Sequence, residues 1–237
     1  VIRADLHVHS CLSPCADITM VPGAVCSKSR QAKIDVLSIC DHNSCENLDA
    51  FEKACGAIFL PGVEVTSKEE VHVLAYFPSV GKARKFCEVL NDHLPKVRLD
   101  PEVLGYQLLV NEKDEFLSIK EEYLLVAADL SVGEIVRLIL GHGGVPAYAH
   151  VDRQFGLLYQ LGMFPPNDEV RFAEVRTKDG WQKVLRAGYI PLTSSDAHRI
   201  DEIGCRYTRF DLDVKNTEEF FNFLCAPDRS KVLTIWD

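Results

Sequence analysis

His7 and His9 stand one residue apart in Asp5-Leu6-His7-Val8-His9-Ser10, at the end of an apolar run. Extended backbone sends residues i and i+2 to one face, so both imidazoles enter the same space. Two imidazoles there are half of a metal site or a pair of core histidines, and further donors must decide between the two. The chain supplies them: His42 after Asp41, Glu64, His72, His150, and Asp196 with His198. Zinc in catalytic sites takes three protein ligands plus a water. The surplus here therefore predicts two or three divalent ions bridged by carboxylates such as Glu64 or Asp196. Clustered ions suit phosphate-ester hydrolysis, because they acidify a bridging water to hydroxide and clamp the phosphoryl oxygens. His93, on a polar helix, and His142, before Gly143-Gly144 at a helix end, stay outside this set; a histidine at a helix C-terminus stabilises the last carbonyls.

The donors need elements that bring them to one place. Residues 2–8, 34–40, 57–67, 71–77, 144–150, 170–175, 189–195 and 206–212 read as strands. Pro22 suits the first position of a helix. Helices are also predicted over 44–54, through most of 81–128, from the capping box Ser131-x-x-Glu134 to Gly141 or Gly143, through 181–186 and after Thr217. Alternating strands and helices without a linker or repeat predict a single α/β domain over 1–237, with a parallel sheet or barrel. In such folds strand C-termini converge on one mouth. His72 sits at a strand start, so either its strand runs antiparallel to the others or the site reaches past its beginning.

Composition bounds the partners. The chain has 237 residues, with 35 acidic and 26 basic side chains and a formal charge of −9. An acidic surface without a Lys/Arg block repels a polyanion, so no extended nucleic acid is expected, while a small anion held by metal ions is. No apolar run approaches the ~20 residues of a span and no signal peptide is visible, so neither a membrane nor secretion is expected. Nine cysteines, an odd number, fit reduced thiols in a cytoplasmic protein better than a disulfide framework.

The chain resembles the PHP (polymerase and histidinol phosphatase) family. The resemblance rests on Asp5-Leu6-His7-Val8-His9-Ser10, Cys40-Asp41-His42-Asn43, Gly62-Val63-Glu64-Val65, His72 in its apolar run, Ala149-His150 and Ser195-Asp196-Ala197-His198, in the family's order over nearly the full length. It implies a distorted seven-stranded (β/α)7 barrel holding two to three ions of zinc, manganese or iron. It makes His7, His9, His42, Glu64, His72, His150, Asp196 and His198 metal ligands. It also implies one more ligand shortly after the HxH pair. Asp17 is favoured there as a hard oxygen donor, and Cys15 competes as a thiolate that would bias the site toward zinc.

The expected activity is a metal-dependent phosphoesterase acting on a small phosphorylated metabolite, such as a histidinol phosphate or a nucleotide. Asp196, His198 or His42 would handle protons. Arg153 and Arg199 are candidates for gripping the phosphate through two parallel bonds, with Arg176 and Lys178 weaker ones. The alternatives are a nuclease acting on short oligonucleotide ends and a non-catalytic metal-binding module.

Overall fold

The protein is described here by a computed structural model covering residues 1–166 and 169–237. Its elements run β1 (Ile2–Val8), α1 (Pro22–Gln31), β2 (Val36–Ile39), α2 (Leu48–Ala54), β3 (Ile58–Thr66), β4 (His72–Tyr76) and α3 (Val80–Asn91). Then come α4 (Pro101–Leu104), β5 (Leu108–Val110), β6 (Phe116–Ile119), α5 (Val132–Gly141), β7 (Val145–Tyr148) and α6 (Leu157–Gln160). The chain finishes with β8 (Phe172–Glu174), α7 (Lys178–Arg186), β9 (Ile190–Leu192), β10 (Thr208–Phe210), α8 (Thr217–Cys225) and β11 (Val232–Leu233).

Nine of these strands form one sheet in the order β11-β10-β1-β2-β3-β4-β7-β8-β9. The count is nine among the described residues rather than the expected seven, because β10 and β11 extend the sheet antiparallel beside β1. The two ends of the sheet curl together: Thr193 N–H donates to Thr208 Oγ1 at 2.8 Å, and Thr208 Oγ1 donates to the Thr193 carbonyl at 2.9 Å. The result is a nearly closed barrel. β1, β2, β3, β7, β8 and β9 share one direction, and β4 runs against both of its neighbours. The start of β4 therefore lies beside the ends of the parallel strands, which places His72 at the common mouth as expected.

Alternation sorts each strand into a barrel-facing and a helix-facing set. Leu60, Leu74, Ala147, Phe172 and Leu192 pack together inside, and α8 closes the far end with Phe220 and Leu224. Val63, Val65, Val73 and Ala173 pack outward with Phe51, Phe86 and Ile135 of the helices. Glu64, His72 and Glu174 continue the inward sets of β3, β4 and β8, so the barrel is apolar below and polar at its mouth. On β1 the inward residues Ala4 and Leu6 would send His7 outward. A register shift between Asp5 and Val8 re-aims the strand end so that His7 and His9 both face in.

The segment 81–128 departs from the helical expectation. Beyond α3 it holds the four-residue α4 and the antiparallel hairpin β5–β6. Phe116 and Leu117 of β6 are exposed, so their spacing carried no information about burial. The hairpin is fastened to the mouth: Asn47 Nδ2 donates to the Leu108 carbonyl at 3.0 Å, and Leu108 N–H donates to the Cys11 carbonyl at 2.8 Å. Cys26 and Cys55 form a disulfide, contrary to the expectation of reduced thiols. Packing of α1 on α2 brings their Cα atoms to 5.2 Å, a separation compatible with a bridge. The other seven cysteines are free. No helix among the described residues is long and apolar enough to cross a membrane.

The Ser131–Glu134 capping box forms as predicted: Ser131 Oγ accepts from Glu134 N–H at 3.3 Å and Glu134 Oε2 accepts from Ser131 N–H at 2.7 Å. Ser131→Ala should cost about 1 kcal/mol, read as a lower urea midpoint with an unchanged slope. An unaltered midpoint would show that the cap contributes nothing. His142 ends this helix, with Nδ1 donating to the Leu138 carbonyl at 2.8 Å, the structural role assigned from sequence.

Candidate metal centre

Glu64 stands at the middle of a cage of imidazoles. Its Oε2 lies 3.4 Å from His7 Nε2, 3.3 Å from His9 Nε2 and 3.2 Å from His42 Nδ1. Its Oε1 lies 2.8 Å from His72 Nδ1 and 3.2 Å from His150 Nε2. Asp196 Oδ1 faces the same space, 3.4 Å from His7 Nε2 and 3.3 Å from His9 Nε2. Three sets of donors converge closely enough for an ion: His7, His9 and Asp196; His42, Glu64 and His72; His9, His42 and His198. Asp17 and Cys15 join none of them. The Asp17 carboxylate instead accepts from Thr19 N–H at 2.8 Å within its own exposed turn.

The donors fit divalent ions. His7 Nε2, His9 Nε2, His42 Nδ1 and Asp196 Oδ1 are buried without an aligned hydrogen-bond partner, a costly state unless another group fills the space. Two ligands bound about 2.1 Å from one ion stand roughly 3.0–3.4 Å apart in octahedral or tetrahedral geometry, and the carboxylate–imidazole separations above are of that order.

Outer partners fix which nitrogen faces inward. Ser13 Oγ spends its one hydrogen on Asp41 Oδ1 at 2.6 Å, so it accepts from His9 Nδ1 at 2.9 Å and leaves the Nε2 lone pair to the centre. Asp41 also accepts from Ser10 N–H at 2.8 Å and Ser10 Oγ at 2.6 Å, which ties the His9 loop to the His42 loop. His7 Nδ1 donates to Glu174 Oε2 at 2.8 Å with the same consequence for its Nε2. Phe155 lies flat on His72, with ring centroids 4.9 Å apart and planes 4° from parallel. Sequence reading missed Glu174, Ser13 and Phe155. An acidic residue inside the apolar run of β8 was the available signal for Glu174. Asn43, His150 and Asp196 have φ of +52°, +22° and +52°, so three donor-bearing loops hold left-handed backbone at a non-glycine residue.

The phosphate-gripping candidates are placed differently. Arg153 Nη2 donates to Asp196 Oδ2 at 2.6 Å, at the rim of the cage. Arg199 turns away to Asp201 at 3.1 Å. Arg176 Nη1 donates to the Ser194 and Ser195 carbonyls at 3.2 and 2.8 Å, bracing the loop that carries Asp196. Lys178 is exposed at the start of α7.

Burial works against charge on Glu64, His7, His9 and His198, and the mutual contacts decide which one keeps it. Burial would raise Glu64, but His72, His7 and His42 beside it hold its carboxyl well below the usual range. Burial would likewise lower His9, yet its contacts with Asp196 and Glu64 push it up to about 9, and His7 is raised by Glu64 and Asp196. Burial and the neighbouring His9 hold His198 down at about 4. Metal-free protein at neutral pH thus carries protons on His7 and His9 that an ion must displace. Metal binding at pH 7 should release about two protons, measured by calorimetry in buffers of different ionisation enthalpy, and the affinity should rise as pH approaches 9. Without metal the sign reverses: the raised His9 stabilises the fold below about pH 6.5, and that contribution is lost as pH climbs through 9. Binding that releases no proton would refute the assignment.

Residues 185–225 match the PHP_C model, described as PHP-associated. No curated protein matches the sequence. The fold is similar to the lesion-specific endonuclease Q of Pyrococcus furiosus, with a TM-score of 0.75 at 16% identity, covering 96% of this chain and 56% of that one. It is equally similar, TM-score 0.75 at 16% identity over 96% of this chain and 57% of that one, to endonuclease Q bound to a 27-mer duplex with an abasic lesion at the active site. The chain thus spans a little over half the length of these endonucleases. A metal-dependent phosphoesterase of Bifidobacterium adolescentis has a TM-score of 0.54 at 17% identity over 82% of this chain and 87% of that one. The duplex complex overturns the expectation that a small phosphorylated molecule is the partner and extended nucleic acid is not. Net charge averages over the whole surface, whereas a polyanion meets one local field, that of the mouth.

Proposed function

We propose that this chain is a PHP-domain protein, which the PHP-associated match over residues 185–225 supports, and a metal-dependent phosphodiesterase acting on DNA. The observation that carries this reading is the cage itself: His7 Nε2, His9 Nε2, His42 Nδ1 and Asp196 Oδ1 lie buried without an aligned hydrogen-bond partner around the central Glu64. Its likeness to an endonuclease fold that accepts a damaged duplex supports DNA as the substrate. Divalent ions held there by His7, His9, His42, Glu64, His72, His150, Asp196 and His198 would polarise a phosphodiester and acidify water.

The remaining work falls to the chain. Glu174, Ser13 and Asp41 keep the ring nitrogens turned inward. Asp196 offers Oδ1 to the cage, where His7 and His9 outweigh burial and keep the carboxylate ionised, while Arg153 holds Oδ2 in place. His198 donates Nδ1–H to the Asp196 carbonyl at 2.9 Å, leaving an Nε2 lone pair at the half-open edge. That lone pair is the one His198 can offer to an ion in the set it forms with His9 and His42. Arg153 is placed to share its remaining donors with the phosphoryl oxygens.

The test is strand cleavage by the metal-loaded chain, on intact duplex, duplex with an abasic site and single-stranded DNA, beside a panel of phosphomonoesters. Cleavage of DNA, abolished by chelation and restored by Mn²⁺ or Zn²⁺, is the expected result. Hydrolysis of monoesters alone, or silence at full metal occupancy, would overturn the reading.

A further inference from the structure

The cations that stand beside the mouth are scattered in sequence and assembled by the fold. Arg176 follows β8, on the same rim as Arg153, and its guanidinium is held by the Ser194 and Ser195 carbonyls next to Asp196. Arg206 precedes β10, which runs antiparallel to β1, so it too lies toward the mouth. Arg206 Nη1 donates to the Arg176 carbonyl at 3.2 Å. A step of backbone thus links Arg206 to Arg176, and Arg176 to the loop of Asp196. Lys178 stands exposed two residues beyond Arg176.

Arg176 and Arg206 are half-buried, and among the described residues neither has a carboxylate within ion-pair distance. A carbonyl accepts a hydrogen bond without cancelling charge, so both guanidinia keep a full positive charge and unspent N–H groups. The nearby Asp152 carboxylate is committed to Arg176 N–H at 2.9 Å and Thr177 N–H at 2.8 Å, which aligns this segment. Arg199, by contrast, is neutralised by Asp201.

We infer that Arg176, Arg206 and Lys178 form a track for the phosphodiester backbone of a DNA strand leading into the metal centre. This rests on the DNA reading above and adds the residues that would hold the strand outside the cage. Backbone contacts of this kind are independent of base sequence and release counterions, so their signature is a salt slope.

The experiment is binding of a fluorescein-labelled phosphorothioate oligonucleotide, whose diesters resist hydrolysis, to the full metal-loaded chain across a salt series, by fluorescence anisotropy. Arg206→Glu with Lys178→Glu should weaken binding roughly tenfold or more and flatten the log–log salt slope by about one unit per lost phosphate contact. Arg206→Gln, a milder change, should move both in the same direction. Lys33→Glu, on an exposed residue before β2 at the opposite end of the barrel, should leave affinity within about twofold. Equal losses from Lys33→Glu and the track variants would make net charge the cause and overturn the track. Unchanged binding by the track variants, in a chain whose wild type cleaves DNA, would overturn the track and leave the phosphodiesterase reading standing. A wild type that neither binds nor cleaves DNA would remove both.

Discussion

Glu64→Gln should cost the centre at least one metal ion and lower hydrolysis on the order of a thousandfold. Both Glu64 oxygens are engaged, Oε2 toward His7, His9 and His42, and Oε1 toward His72 and His150. Glutamine keeps the volume and removes the charge that unites the donor sets. The loss of several kcal/mol of charge stabilisation, about 4 kcal/mol, corresponds to roughly a thousandfold in rate. Metal analysis and cleavage rate should fall together, and a circular-dichroism melt separates this from misfolding. A folded variant with full metal content and near-normal rate would sink the central role given to Glu64.

Glu174→Ala should weaken metal binding by about 10- to 100-fold without removing any residue of the converging donor sets. Glu174 Oε2 takes the His7 Nδ1 hydrogen at 2.8 Å and the His150 backbone N–H at 3.3 Å. Alanine would leave both donors buried and unpaired, a further cost of roughly 1–3 kcal/mol each in stability. Glu174→Gln retains an acceptor oxygen, so it should recover part of the affinity. Titration against a chromophoric chelator reads the effect. Equal affinity in wild type and Glu174→Ala would show that His7 needs no orienting partner.

Much of this was legible in the sequence because it depends on local pattern. Strand alternation, the Ser131–Glu134 cap and the position of each donor at a strand end follow from neighbours within a few residues. His72 standing at a strand start left two readings, an antiparallel strand or a site reaching past its beginning, and the pairing of β4 with β3 and β7 decides for the first. The segment after α3 was misread because a hairpin fastened by Asn47 and Cys11, and exposed on its outer face, need not obey a burial period.

Other features exist only in three dimensions. His7 faces inward because a register shift overrides the alternation set by Ala4 and Leu6. Glu174 becomes a partner of His7 across 167 residues of chain, and Cys26 meets Cys55 where α1 packs on α2. The acidic total argued against DNA, but charge acts over about a Debye length and not over a composition. Arg176, Lys178 and Arg206 became neighbours of the mouth only when β8 and β10 closed the barrel around it. The sequence alone determined which residues could hold metal, since donor chemistry belongs to residue type; the tertiary structure decided which atoms turn inward and where the charge gathers, since orientation and field are set by contacts between distant segments.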